Sequence, residues 1–108
     1  MGTILILGHD HMGHGDADLG RRILKTFLQK SIVLQDLDAV AMFNGGVKLI
    51  AEGSPVLGEL SMMEENGVDL LPCGTCLTHF KLTPTVGNVS SMDDILAAIG
   101  KASKTITL

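Results

Sequence analysis

An α/β fold on a mainly parallel sheet is predicted for this 108-residue chain by three observations. Its strand-like runs, Thr3-Ile4-Leu5-Ile6-Leu7 and Ala39-Val40-Ala41-Met42-Phe43, are continuously apolar, as strands covered on both faces are. Segments with apolar residues at helical spacing lie between such runs, so strand and helix alternate in near-strict order. The chain is also rich in glycine and poor in aromatic residues (13 Gly; three Phe, no Trp or Tyr), which fits a tightly turned aliphatic interior. At this length one domain, spanning residues 1–108, can bury a core of its own.

The first strand is Thr3 to Leu7, stopped by Gly8. A polar loop, His9-Asp10-His11-Met12-Gly13-His14-Gly15-Asp16, ends on Asp16 as N-cap. The helix that follows buries Leu19, Ile23, Leu24, Phe27 and Leu28, and Gly20 marks a close packing contact within it. Residues 31–36 form a connection without a clear pattern. Ala39 to Phe43 is the second strand, ended by Asn44-Gly45-Gly46, and Val47 to Ala51 makes an irregular segment or one helical turn. Ser54-Pro55 starts a helix with Ser as N-cap and Pro at its first position; Val56, Leu57, Leu60 and Met63 face inward, and Asn66-Gly67 stops it.

Val68 to Leu71 is the third strand, and Leu77 to Phe80 can begin a helix just beyond it. Val86 to Val89 reads as a fourth strand. Ser91-Met92-Asp93-Asp94 fits a capping box for a helix that buries Met92, Ile95, Leu96 and Ile99 and ends at Gly100. Lys104 to Leu108 is the fifth strand. Parallel strands bring their carboxyl ends to one rim, which therefore collects residues 9–15, 44–48, 73–76 and 87–91, and open sheets of this type bind ligands along that rim.

Composition narrows the function. A net charge of −4 with scattered cations leaves no basic stripe for phosphates, so no nucleic-acid partner is expected. No apolar run reaches the roughly 20 residues that span a bilayer, and the first strand starts without the basic region of a secretory signal, so no membrane association and a cytoplasmic location are expected. In such a reducing compartment a Cys-x-x-Cys pair is more often catalytic or metal-binding than a structural staple. The glycine spacing is neither a dinucleotide fingerprint nor a P-loop, so no cofactor is expected.

That pair is Cys73-Gly74-Thr75-Cys76, at a strand-to-helix turn. The thiolate is the reactive form of cysteine, and backbone N–H groups at such a turn stabilise it. Cys73 is the first candidate nucleophile, Cys76 the resolving or alternative one, and Thr75 offers a hydroxyl near either sulfur. His79, three residues beyond Cys76, and Lys48, on the same rim, are candidate supporting groups. His9, His11 and His14 are the candidate metal ligands, although a polar loop with solvated rings explains them more simply, and no metal is expected.

Several segments match one known family in order: Gly13-His14-Gly15-Asp16, Phe43-Asn44-Gly45-Gly46-Val47-Lys48-Leu49, Glu52-Gly53-Ser54-Pro55-Val56-Leu57, Asn66-Gly67-Val68, Cys73-Gly74-Thr75-Cys76-Leu77 and Val86-Gly87-Asn88-Val89. Together they resemble the DsrE-like domain of YedF-type, sulfurtransferase-like proteins of selenium metabolism, within the DsrE/DsrF/DsrH group. The resemblance implies a three-layer α/β/α sandwich with a five-stranded parallel sheet, assembly into a homo-oligomer, and a sulfur atom carried as a persulfide, with Cys73 the best match to the sulfur-carrying position. It also implies a sulfur donor or acceptor protein, such as a separate TusA-like carrier, because YedF-type chains usually carry that module ahead of the DsrE-like part. The histidine cluster is not part of the family pattern. Two other functions fit the same residues: a thioredoxin-like dithiol/disulfide redox protein, and a non-catalytic oligomeric binding module.

Overall fold

The computed structural model describes residues 2–108. In chain order its elements are strand β1 (Thr3–Leu7), helix α1 (Ala17–Lys30), β2 (Leu37–Met42), α2 (Leu57–Glu65), β3 (Asp69–Pro72), α3 (Gly74–Phe80), α4 (Met92–Lys101) and β4 (Lys104–Thr107). Two 3-10 segments, Ser31–Val33 and Asn44–Ile50, follow α1 and β2. The four strands form one sheet in the order β3-β2-β1-β4, and every neighbouring pair is parallel.

Successive strand residues point to opposite faces, and the buried side chains divide accordingly. Leu5, Leu7, Val40, Met42 and Leu70 pack with Leu24 and Leu28 of α1, Leu60 and Met63 of α2, and Leu77 of α3. Ile4, Ile6, Ala39, Ala41 and Cys73 pack with Ile95 of α4. Both faces of the sheet are therefore covered, which explains the absence of polar alternation in β1.

The expected fourth strand, Val86 to Val89, does not form, whereas the expected fifth does, as Lys104–Thr107, so among the described residues the sheet has four strands and not five. Gly87 interrupts a ladder: it sits at φ +73°, outside the extended range, and so close to Leu70 that a β-carbon there would stand 2.9 Å from the Leu70 β-carbon. Just beyond the segment Ser90 makes a single parallel bridge to Cys73, past the end of β3, with the Ser90 N–H bonded to the Pro72 carbonyl at 2.9 Å and the Gly74 N–H to the Ser90 carbonyl at 2.8 Å.

The other differences concern boundaries and faces. Helix α2 starts at Leu57, two residues beyond the Ser54-Pro55 signal, and Ser54 Oγ caps locally by accepting the Val56 N–H at 3.2 Å. Helix α4 runs through Gly100 to Lys101, and the capping box at Ser91 and Asp94 forms as expected. Leu19 and Ile23 of α1, and Met92 and Leu96 of α4, are exposed rather than buried, because each helix turns a narrower stripe onto the sheet than its apolar pattern allows. Gly20 does mark a close approach: its carbonyl takes the Met12 N–H at 3.1 Å, and a side chain there would strike the Met12 carbonyl.

The 3-10 segment after β2 is seven residues long, beyond the usual three or four. It is pinned where Gly46 lies on the Leu7 carbonyl, too close to admit a β-carbon. Gly46→Ala is expected to destabilise the protein by about 2–4 kcal/mol in urea unfolding, through a clash with backbone that cannot rotate away. Gly58→Ala in α2, where nothing lies within 4 Å, should instead stabilise by up to about 1 kcal/mol.

Candidate functional site

The carboxyl ends of β1, β2 and β3 release three segments side by side. β1 leads into the histidine loop, β2 into Asn44-Gly45-Gly46, and β3 into the cysteine turn. Gly45 lies 3.7 Å from the His9 α-carbon and from the Asp10 nitrogen, measured from where a β-carbon would stand. The strand order reverses between β1 and β4, so the thiols, beyond β3, lie away from the switch point where open-sheet ligands usually bind.

Cys73 is the N-cap residue of α3, and the structure exposes the two thiols unequally. Cys73 is 3% exposed and packs among Ile4, Ile6, Ala39, Ala41 and Ile95, whereas Cys76, in the first turn, is partly exposed. Both are free thiols. Burial pushes the Cys73 thiol up, but the backbone N–H and thiol of Cys76, and the backbone N–H and hydroxyl of Thr75, together bring it below its ordinary value. These groups surround the sulfur without forming a regular side-chain cap.

Cys76 has a partner from another strand. The Asn44 N–H donates to Cys76 Sγ at 3.1 Å. Asn44 holds φ at +50°, in the left-handed region that asparagine tolerates better than most residues. Backbone strain of this kind gathers at functional sites. Sequence reasoning took Asn44-Gly45 only as a stop signal. The clue was there, since Asn-Gly after a strand favours this conformation, but nothing in the chain identified the sulfur as its target.

Of the remaining candidates only Thr75 bears on a thiol, through Cys73; His79, Lys48 and the histidines make no hydrogen bond with either sulfur among the described residues. His79 packs edge-on against Phe80 at 5.0 Å between ring centres and makes no hydrogen bond with either sulfur. The Lys48 ammonium lies 4.9 Å from the centre of the Phe80 ring. Thr75 is exposed at the turn. His9 stacks near His11 and His14, with ring centres 5.5 and 5.7 Å apart. His11 Nδ1 is 2.8 Å from Asp10 Oδ1, and Arg21 reaches the other carboxylate oxygen at 3.4 Å. Burial pushes the Asp10 carboxyl up, but His11 and Arg21 outweigh it and hold the group below its usual range. No three His, Cys, Asp or Glu side chains among the described residues are arranged to hold a metal ion. No helix among them is long and apolar enough to cross a membrane.

Fold and site together define an α/β domain with an all-parallel four-stranded sheet and a dithiol turn on its carboxyl rim. Solved structures share this fold along essentially the whole chain. The ychN protein of E. coli superposes with a TM-score of 0.68 at 15% identity, covering 100% of both chains. MTH1491 from Methanobacterium thermoautotrophicum, a protein of unknown function, gives 0.70 at 17% identity over 98% of this chain and 97% of its own. BT1422 from Bacteroides thetaiotaomicron, likewise of unknown function, gives 0.67 at 18% identity over 99% and 95%. No protein-family model and no curated protein matches the chain.

The lowered Cys73 pKa has a direct consequence. Its thiolate should form at lower pH in the folded chain than in the urea-unfolded one, as seen in the ultraviolet thiolate absorbance lost in Cys73→Ser. An acid whose pKa is depressed by folding stabilises the fold in full above its unfolded value and loses that contribution as pH falls through the folded value. The stability gap between wild type and Cys73→Ser should therefore widen as pH rises toward about 8.5.

Proposed function

We propose that this chain handles sulfane sulfur as a cysteine persulfide, as a DsrE-like domain of the three-layer α/β/α form. The observation that carries this reading is the Asn44 N–H aimed at Cys76 Sγ from 3.1 Å. It provides a fixed donor for the sulfur anion on the more exposed of the two thiols, and such donors act without reorganising during the reaction. Covered helices on both faces of a parallel sheet support the architecture, and the shared fold with ychN is consistent with it.

Cys76, by its exposure, is the sulfur that meets donor and acceptor, although the sequence ranks Cys73 first. As a thiolate it attacks the outer sulfur of a donor R–S–SH. The donor S–S bond breaks, Cys76–S–SH forms, and RS⁻ leaves and takes up the proton that Cys76 released. An acceptor thiolate then removes the outer sulfur by the same exchange. Cys73, acidified by the turn, is the resolving thiolate: attack on the inner sulfur of Cys76 gives the Cys73–Cys76 disulfide and releases HS⁻. A dithiol reductant then restores the pair. Lys48 lends positive potential to the rim, Thr75 helps acidify Cys73, and His79 is the titratable ring nearest the pair along α3. The same reading carries a cytoplasmic location, assembly of several copies, and a separate TusA-like donor or acceptor.

Inorganic polysulfide followed by intact-mass measurement tests the reading. Wild type should gain one sulfur atom, Cys76→Ser should lose this loading by about a hundredfold or more, and Cys73→Ser should keep it. Loss in Cys73→Ser with retention in Cys76→Ser exchanges the two roles, and no adduct in wild type refutes the reading.

A further inference from the structure

Helix α4 keeps an apolar surface that the rest of the chain does not cover. Helices α1, α2 and α3 pack on one face of the sheet, and α4 packs on the other through Ile95. Its opposite side meets solvent with Met92, Asp93, Leu96, Ala97, Gly100 and Lys101. Met92 is 47% and Leu96 59% exposed, and Val89, three residues ahead of Met92, is 60% exposed. Residues four apart on a helix are neighbours, so Met92 and Leu96 make one stripe beside Ala97 and Gly100. Four strands span about 15 Å, which one helix about 10 Å thick does not fill. Phe43 and Leu71 on this face accordingly stay partly exposed.

The charges along the stripe fit a second copy of the same helix. Asp93 and Lys101 lie about 12 Å apart along α4, too far to pair with each other. Ala97 stands four residues from both, so neither meets an opposite charge one turn away. Neither enters an ion pair among the described residues. The helix dipole accounts for an acid in the first turn and a base in the last, but not for the apolar surface between them. Turned end for end about Ala97, an identical helix sets its Lys101 opposite Asp93 and its Asp93 opposite Lys101. The pattern is therefore complementary to itself, as a two-fold interface requires. Its middle is also small. Glycine weakens a helix, yet nothing lies within 4 Å of where a β-carbon on Gly100 would stand, so nothing within a single chain requires glycine there. A second helix gains a close approach from it.

We propose that two copies of this chain pair through the outer face of α4, antiparallel about a two-fold axis at Ala97. Leu96 of each copy packs over Ala97 and Gly100 of the other, Met92 and Val89 extend the apolar contact, and two Asp93–Lys101 pairs close its edges. A helix of this length is about 15 Å long, so the contact falls at the small, reversible end of specific interfaces. The pairing gives the assembly of copies in the reading above a face and a symmetry. It uses none of the residues that handle sulfur, so either reading can fail without the other.

Sedimentation equilibrium of the full chain over about a hundredfold range of concentration tests the pairing, with a thiol reductant present so that no disulfide links the copies. Wild type should pass reversibly from one copy to two. Leu96→Asp should raise the dissociation constant by about a hundredfold or more, and circular dichroism shows whether each variant keeps the fold. Asp93→Lys and Lys101→Asp should each weaken pairing by about tenfold, because each sets two like-charged contacts in place of two opposite ones. Mixed in equal amounts, these two variants should pair with each other about as tightly as wild type, since both contacts between unlike chains again join Lys to Asp. Mixing leaves the stability of each helix unchanged, so a purely structural role for the two charges predicts no such rescue. A wild type that stays single at every concentration overturns the proposal and leaves the stripe to a different protein. Pairing that survives Leu96→Asp, or a mixture no tighter than its components, overturns it as well. Failure of polysulfide to load Cys76 refutes the persulfide reading and leaves this pairing standing.

Discussion

Where β1 ends, the Leu7 carbonyl receives the Phe43 N–H at 3.3 Å, and the bare α-carbon of Gly46 lies directly on it. This backbone-on-backbone contact sets the height at which the 3-10 segment crosses the sheet. Height in turn decides where Asn44 points. With Gly46 seated, the Asn44 N–H falls on the Cys76 sulfur, one strand over, and Lys48 falls over Phe80 one helical turn further on. A methyl group at residue 46 would strike the Leu7 carbonyl, so the segment that carries Asn44 and Lys48 could not keep this seat. The candidate chemistry of the rim thus rests on a packing constraint that contains no reactive atom.

The two thiols illustrate how position divides labour between chemically identical groups. Cys73 lies on the α4 face of the sheet, in an aliphatic pocket that disfavours charge, and yet the amides and hydroxyl of its own turn reverse that tendency. Cys76 lies partly exposed, packed against both core clusters, and takes its hydrogen bond from a neighbouring strand end. One sulfur is stabilised by its local sequence and the other by tertiary contact. The three histidines stand apart from this division. Their loop is held by the Asp10, His11 and Arg21 contacts and by Gly20, whose missing side chain lets Met12 bond to α1.

Much of the fold was legible because the signals were local. The apolar runs of β1 and β2, the Asp16 cap that accepts the Leu19 N–H, the capping box at Ser91 and the close approach at Gly20 each depend on residues within a turn or two. Signals that depend on distant neighbours were misread. Val86 to Val89 has the composition of a strand, but pairing requires β3 to accept it, and Gly87, outside the extended range beside Leu70, interrupts a ladder. The stripes of α1 and α4 include Leu19, Ile23, Met92 and Leu96, which a helical wheel places inward and which the sheet does not reach.

The chain by itself determined that strands and helices would alternate, that the sheet would be parallel and covered on both faces, and that two cysteines would sit at a strand-to-helix turn on its carboxyl rim. Those features follow from hydrophobic period and turn chemistry, which act over a few neighbouring residues. Tertiary structure alone decided which thiol is buried and which N–H meets Cys76. The first depends on which face of the sheet a helix covers and the second joins residues 32 positions apart in sequence, and such relations exist only once the strands have taken their order.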